Sequence, residues 1–269
     1  MLHQFDTHTF STNLNTGWLG RHFWYFDQLE STNSYLAAKQ PRHTPHGLVC
    51  LCDEQTLGKG QYGKGWQSKP GANLTFTAVF KPVGNTCLKT LGLACAYSVA
   101  ELVTGCVSVP VYLRYPNDIY AGSHKIGGIL TEASFSGNKV ERILTGIGIN
   151  VEHQDMPEEL KNTASSIGNI ANGYPIPARE ILLAQLLTRI ENNYQHWEAR
   201  ETRFLRQMNR SLYGYGEWVH LREGEDVMSS TYKLLGVNEE GGLCVLDEDF
   251  NIKVFTHEQV RVHEFAADH

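Results

Sequence analysis

The stretch richest in chemistry is GKGQYGKGW at residues 58–66. From Gln55 through Phe80 there is no acidic residue, while Lys59, Lys64 and Lys69 carry positive charge and Gly58, Gly60, Gly63, Gly65 and Gly71 keep the backbone open. Glycine lets backbone N–H groups approach an anion closely, and clustered lysines supply the charge that phosphates need. A nucleoside triphosphate suits such a loop. The pattern is neither a P-loop nor a dinucleotide fingerprint, because no helix follows the glycines. A solvated hairpin loop has the same composition.

A second cluster is RYPNDIY at 114–120 running into KIGGIL at 125–130. Pro116 fixes the backbone so that Asn117 and Asp118 project from a turn, and Lys125 begins the next strand seven residues after Asp118. A carboxylate and an ammonium can then face one pocket. The pair Gly127-Gly128 inside a strand marks either a bulge or another body lying against the backbone. GIGIN at 146–150 again places two glycines inside a strand, and three such openings in one sheet point to a ligand.

The elements that position these clusters follow from periodicity. FWYF at 23–26 and GLVCLCD at 47–53 read as strands, and Ser31 or Thr32 caps a short helix running to Lys39. NLTFTAVF at 73–80 alternates Leu74, Phe76, Ala78 and Phe80 against Thr75, Thr77 and Val79, the pattern of a half-buried strand. Leu88, Leu91, Cys95, Val99, Leu102 and Cys106 lie at helical spacing. Strands follow at 111–115, near Ile119-Tyr120, and at 125–137 and 139–151, the last two joined at Gly137-Asn138 as a hairpin. Pro177, at a first-turn position, opens a second long helix faced by Leu183, Leu186, Leu187, Ile190, Tyr194 and Trp197. A polar, Arg-rich stretch comes next. After SLYGYG, short strands with turn signals at 238–242 and 247–251 predict a small β-barrel.

The chain of 269 residues, 41% hydrophobic and 19% charged, suffices for one large domain and a small module. Its net charge of −6 opposes non-specific binding to nucleic acid or anionic membrane. No run approaches the length of a membrane span, and the polar N-terminus lacks signal-peptide regions, so a cytoplasmic location is expected. The six cysteines are expected to be free thiols, with Cys50 and Cys52 on one face of a strand. His43 and His46 of HTPH are expected to be solvated.

STNSY at 31–35, DEQTLGKGQYGKGW followed by SKPGANLTF, RYPNDIY, KIGGIL and GIGIN occur in the order and spacing of the biotin protein ligases, also called biotin–[acetyl-CoA-carboxylase] ligases. The chain resembles that family from about Trp24 to its C-terminus. The ordered set, not any one motif, carries the resemblance. It implies an α+β fold: a mixed-sheet catalytic domain with packed helices, of the class II synthetase-like biotin/lipoate ligase type, over residues 1–211, and a C-terminal SH3-like β-barrel over 212–269. It implies ATP with Mg2+ as cofactor, biotin as substrate, and a biotin carboxyl carrier protein domain as acceptor, in two steps through biotinyl-5′-AMP. A monomer or weak homodimer is expected, with no nucleic-acid or membrane partner. A lipoate or octanoate ligase or transferase of the same fold is the alternative activity; a non-catalytic regulator is the alternative class.

By the same resemblance, Ser31, Thr32, Asn33, Gln55, Gly58, Lys59, Gly60, Gln61, Lys125 and Gly128 would bind biotin. Lys59, Gln61, Lys64, Trp66, Asn117, Lys125 and Asn150 would bind ATP and the adenylate, with Asn117 helping to hold Mg2+ through phosphate. Lys125 and Asp118 would be catalytic: Lys125 on the carboxylate and α-phosphate, Asp118 on the incoming amine. The family's loop arginines become Lys59, Gln61 and Lys64 here, and its KWPND becomes Arg114-Tyr115-Pro116-Asn117-Asp118. Lysine keeps the charge without the bidentate fork, so the grip on the adenylate differs. The 30 residues before Ser31 are too few for the helix-turn-helix domain of bifunctional members, which implies the monofunctional type.

Overall fold

The computed structural model describes residues 4–63, 65–83, 87–224 and 226–263. Helix α1 (Thr7–Asn13) precedes strand β1 (Phe23–Leu29), helix α2 (Thr32–Ala37) and strand β2 (Val49–Gln55). Two short strands, β3 (Gly58–Lys59) and β4 (Gly65–Trp66), lead to β5 (Asn73–Phe80) and helix α3 (Leu88–Thr104). Next come β6 (Val111–Arg114), β7 (Asp118–Ala121), β8 (His124–Ser136) and β9 (Lys139–Asn150), then helices α4 (Ile167–Ile170), α5 (Arg179–Glu198) and α6 (Thr202–Arg210). The chain finishes in β10 (Trp218–Glu223), β11 (Asp226–Val237), β12 (Leu243–Leu246), β13 (Ile252–Phe255) and β14 (Arg261–Val262).

Seven strands form one mixed sheet in the order β1-β2-β5-β9-β8-β7-β6, in which β1 and β2 run parallel and the other pairs antiparallel. Five more form an antiparallel sheet, β13-β12-β11-β10-β14, the small C-terminal module. The fold is α+β, as the motifs implied. Ser31 caps α2, its side chain accepting from the Ser34 amide, which satisfies one of the helix's first donors. The β8–β9 hairpin turns at Gly137, at φ 58°, with Ser136 paired to Lys139 across a two-residue loop.

The structure revises several expectations. Strand β5 is buried along its whole length, not half-buried, because it lies between β2 and β9 with helices on both faces. Leu74, Phe76, Ala78 and Phe80 join the core with α3 and α5, while Val79 packs with Leu36 of α2. The alternation was sound, but its polar face meets a helix and a cleft instead of bulk water. Helix α5 starts at Arg179 with Ala178 as its cap, so Pro177 stands just outside its first turn. The Arg-rich stretch is α6, whose Phe204 and Met208 are buried. His46 is not solvated: its ring stacks on Trp18 at 4.2 Å and its Nδ1 accepts from the Lys81 amide, and burial lowers its pKa. His43 is exposed.

The N-terminal segment is part of the core. Phe5 and Phe10 pack their rings at a tilt against Phe23, and Glu191 of α5 accepts three hydrogen bonds from the backbone amides of Gly17, Trp18 and Leu19. All six cysteines are free, and Cys50 and Cys52 are buried with their thiol pKa values raised by burial, to about 12 and about 11. Among the described residues, no helix is long and apolar enough to cross a membrane.

Candidate active site

A cleft of about 820 Å³ opens on the face of the large sheet that carries α2. Ser31, Thr32, Asn33, Gln55, Lys59, Gly60, Gln61, Trp66, Asn117, Asp118, Lys125, Gly128 and Asn150 all line it. These residues, up to 119 positions apart in sequence, share one cavity because β2, β5, β9 and β8 are neighbours and α2 lies across them. Gly58 does not line the cleft: it lies behind, where a Cβ would strike the Trp66 carbonyl and approach Gln55 Nε2. Lys64 lies outside the described residues.

One end of the cleft is a hydrogen-bonded chain. The Thr32 amide N–H donates to Gln55 Oε1 at 2.7 Å, and the Thr32 hydroxyl lies 3.0 Å from the same oxygen. The Thr77 hydroxyl lies 2.7 Å from Thr32 Oγ1 and 2.5 Å from Asn33 Oδ1. Asn33 Nδ2 in turn donates to Glu132 Oε2 at 2.7 Å. Thr32, Asn33 and Thr77 are almost wholly buried, so these bonds form in low dielectric, where an unmade one is costly. Thr75, on the same face of β5, lines the cleft with a buried hydroxyl that has no protein partner.

At the other end Lys125 Nζ sits 2.7 Å from Asp118 Oδ1. The register puts them there: β7 and β8 are antiparallel neighbours, with a bulge opposite Ile119/Tyr120. The extra residue of that bulge is Ile126, while Gly127 and Gly128 pair in register with Ile119 and Asp118, and Gly128 lines the cleft. The Lys125 backbone is held on its outer side, its N–H donating to Thr163 O and its C=O accepting from the Ser165 amide, both at 2.9 Å. Asn150 Nδ2 donates to Ser165 O while its Oδ1 accepts from Asn73, so both ends of that amide brace the segment that fixes Lys125. Asn117 Nδ2 donates to Ile129 O, which leaves Oδ1 as its atom for a ligand. Arg114, at the cleft wall, stacks its guanidinium on Tyr120 at 4.5 Å.

Both glycines of GIGIN line the cleft, and both also make room for side chains of the protein itself. A Cβ at Gly146 would lie 2.6 Å from Asn33 Oδ1, and one at Gly148 would penetrate the Trp66 indole. These openings are filled by the protein's own side chains, which form the walls of the ligand site. Sequence reading missed Thr75, Thr77 and Glu132, and it missed Arg222, Arg261 and His263, through which the C-terminal module reaches the cleft. The alternation of β5 was the available signal for the two threonines; the module residues carry none.

This geometry has a counterpart in known proteins. Residues 25–150 match the model of the biotin/lipoate A/B protein ligase family. The chain is 27% identical over 248 residues to the bifunctional ligase/repressor BirA of Bacillus spizizenii, covering 90% of this chain and 75% of that protein. It is 27% identical over 226 residues to the biotin–[acetyl-CoA-carboxylase] ligase of Mycobacterium tuberculosis, covering 81% and 80%. A biotin protein ligase from Aquifex aeolicus, solved in complex with biotin and ATP, superposes with a TM-score of 0.76 at 28% identity, over 91% of this chain and 99% of that one.

Proposed function

As the chain belongs to the biotin protein ligases, we propose that this one cleft performs both halves of biotin attachment. In the first, a carboxylate oxygen of biotin attacks the α-phosphorus of ATP, the α–β phosphoanhydride breaks, and pyrophosphate leaves with biotinyl-5′-AMP formed. In the second, the ε-amine of a lysine on a biotin carboxyl carrier protein domain attacks the acyl carbon. AMP leaves, the amine proton is lost, and an amide remains. The observation that carries this reading is the ammonium of Lys125, fixed beside Asp118 in the same cleft that the Thr32–Gln55 pocket and the glycine-rich loop line.

Joining two anions requires a cation at the point where they meet, and preorganised charge in a site that excludes water is the strongest means of supplying it. Lys125 is that cation. Ser31, Thr32 and Gln55 present polar groups suited to the ureido ring of biotin, with Gly60 and Gly128 giving backbone access. Lys59, Gln61 and Trp66, with Lys64 in the same loop, take the nucleotide. Asn150 supports that role through Ser165, as its amide is committed within the protein. Asp118 holds Lys125 during adenylation and faces the incoming amine during transfer.

Magnesium fits the donors present in a limited way. Among the described residues no three His, Cys, Asp or Glu side chains cluster, and Asn117 Oδ1 is an oxygen of the hard type that Mg2+ prefers. Asn117 would meet an ion carried largely by the triphosphate and water, and the ion would neutralise the pyrophosphate leaving group. We assign residues 1–211 to the catalytic domain and 212–269 to the SH3-like module, since α6 ends at Arg210 and the second sheet starts at Trp218. A cytoplasmic protein, monomeric or weakly dimeric, accords with this activity. The test is pyrophosphate exchange into ATP, run with biotin, lipoate, octanoate and no acid. Exchange dependent on biotin alone is expected; exchange driven by lipoate or octanoate in its place would overturn the assignment.

A further inference from the structure

Glu132 stands outside every role given above. It lies on β8, its side chain exposed to solvent, yet its Oε2 takes the Asn33 amide nitrogen at 2.7 Å. The Leu130 carbonyl lies 3.4 Å from the same nitrogen. A carboxylate and a carbonyl accept hydrogen bonds and donate none, so both must face the NH2 of Asn33. The amide therefore has one possible orientation, with Oδ1 toward Thr77.

Counting protons along the chain then fixes the rest. Asn33 Oδ1 has no proton, so its 2.5 Å contact with the Thr77 hydroxyl is made by Thr77 donating. That hydroxyl has one proton and has now given it. Its 2.7 Å contact with Thr32 Oγ1 must be made by Thr32 donating. Thr32 in turn cannot also give a proton to Gln55 Oε1 at 3.0 Å, which is held instead by the Thr32 backbone N–H at 2.7 Å. The Thr32 hydroxyl, lining the cleft, is left with lone pairs and no proton to offer.

We infer that Glu132 is a positioning residue which sets the donor and acceptor sense of the Asn33–Thr77–Thr32 chain, so that Thr32 Oγ presents a lone pair to an N–H of the substrate. The inference rests on the reading of this pocket as the biotin site, where that N–H belongs to the ureido ring. With the chain reversed, Thr77 would donate to Thr32 Oγ and occupy one of its lone pairs, and the Thr32 proton would be free for Gln55 Oε1 or for an acceptor on the ligand, so that an N–H at that place would be held less well. Asn33 itself touches no ligand in this arrangement; it transmits the polarity set by a carboxylate 99 residues away in sequence.

The test uses three variants of an exposed residue, with biotin binding by titration, the KM for biotin and for ATP in pyrophosphate exchange, and the melting temperature. Glu132→Gln keeps an acceptor oxygen and should stay within about twofold of wild type in biotin affinity. Glu132→Ala leaves the Leu130 carbonyl alone to hold the amide and should weaken biotin several-fold. Glu132→Lys offers donors only, turns Asn33 over and should weaken biotin tenfold or more, with the KM for ATP and the melting temperature unchanged. If the lysine variant binds biotin like wild type, or if Gln, Ala and Lys weaken biotin and ATP alike, Glu132 does not set the polarity. A wild-type protein that binds no biotin would overturn the reading beneath the inference and the inference with it; binding by wild type with no ranking among the variants overturns the inference alone.

Discussion

At the scale of single residues, the site turns on how firmly its charges are held. Lys125 is bonded at its backbone N–H, its backbone C=O and its ammonium, to Thr163, Ser165 and Asp118. A cation held at three points loses little freedom when substrate arrives, which is what makes preorganised charge effective. Lys125→Ala should slow biotin-dependent pyrophosphate exchange by about 100-fold, on the order of 3 kcal/mol. Lys59→Ala should cost less, since the loop has further lysines to share the phosphate. Comparable exchange by Lys125→Ala and wild type would remove Lys125 from the mechanism. Asp118→Asn separates the two half-reactions. In the proposed mechanism adenylation would need Asp118 only to steady Lys125, whereas transfer would also bring in an amine that is an ammonium at neutral pH and must lose a proton. Single-turnover transfer from purified biotinyl-5′-AMP should therefore fall further than exchange does. An equal loss in both steps would confine Asp118 to steadying Lys125.

Elements rather than residues govern the glycine-rich loop. Its two short strands, β3 and β4, pair only as Gly58 with Trp66 and Lys59 with Gly65, a contact too small to be stable alone. What seats it is the Trp66 indole, laid on β9 where Gly148 has no side chain. The rest of the segment carries like charges and many glycines, and an anion would relieve that repulsion. Limited proteolysis should cut within residues 55–69 more slowly once biotin and ATP are present. Gly148→Ala, by displacing the indole, should speed cleavage there and remove much of that protection. Equal cleavage rates for wild type with and without the ligands would show that they do not order the loop.

For the molecule as a whole, two buried polar arrangements join parts distant in sequence. Arg179, at the start of α5, donates to Asp53 of β2 at 2.8 Å and to the Asn73 carbonyl of β5, and Tyr25 of β1 donates to the same aspartate. The pair is nearly closed to solvent, so removing one partner strands a charge: Arg179→Met should destabilise the protein by about 3–5 kcal/mol in denaturant unfolding. A loss below about 1 kcal/mol would mean that water or another group satisfies Asp53. His46 ties stability to pH. Burial between Trp18 and Tyr194 lowers its pKa below the ordinary 6.5, so the unfolded chain takes up the proton first. Its contribution is intact above pH 6.5 and is lost as pH falls through the lowered value in the folded state. His46→Gln, which keeps an acceptor for the Lys81 amide, should show a smaller fall in melting temperature than wild type as the pH drops below 6.5.

Local chemistry was what the sequence determined unaided. Ser31 or Thr32 announced a helix cap, Gly137-Asn138 a hairpin turn, and Asp118 and Lys125 a carboxylate and an ammonium facing one pocket, because each depends on residues close along the chain and on periodicities of two or 3.6. Most of the site residues that the ordered motifs name line the cleft, Gly58 excepted, but they do not include Thr75, Arg222, Arg261 or His263. Tertiary structure decided everything that depends on what lies across from a residue. Whether the polar face of β5 meets water or a cleft depends on its neighbours β2 and β9, and whether the glycines of GIGIN admit a ligand or a side chain depends on where Asn33 and Trp66 are carried by other elements. His46 looked solvated in its loop and is half-buried because Trp18 covers it. Glu132 and Asn33 meet across 99 residues, and no local pattern encodes a pairing between a strand and a helix that only the closed sheet brings together.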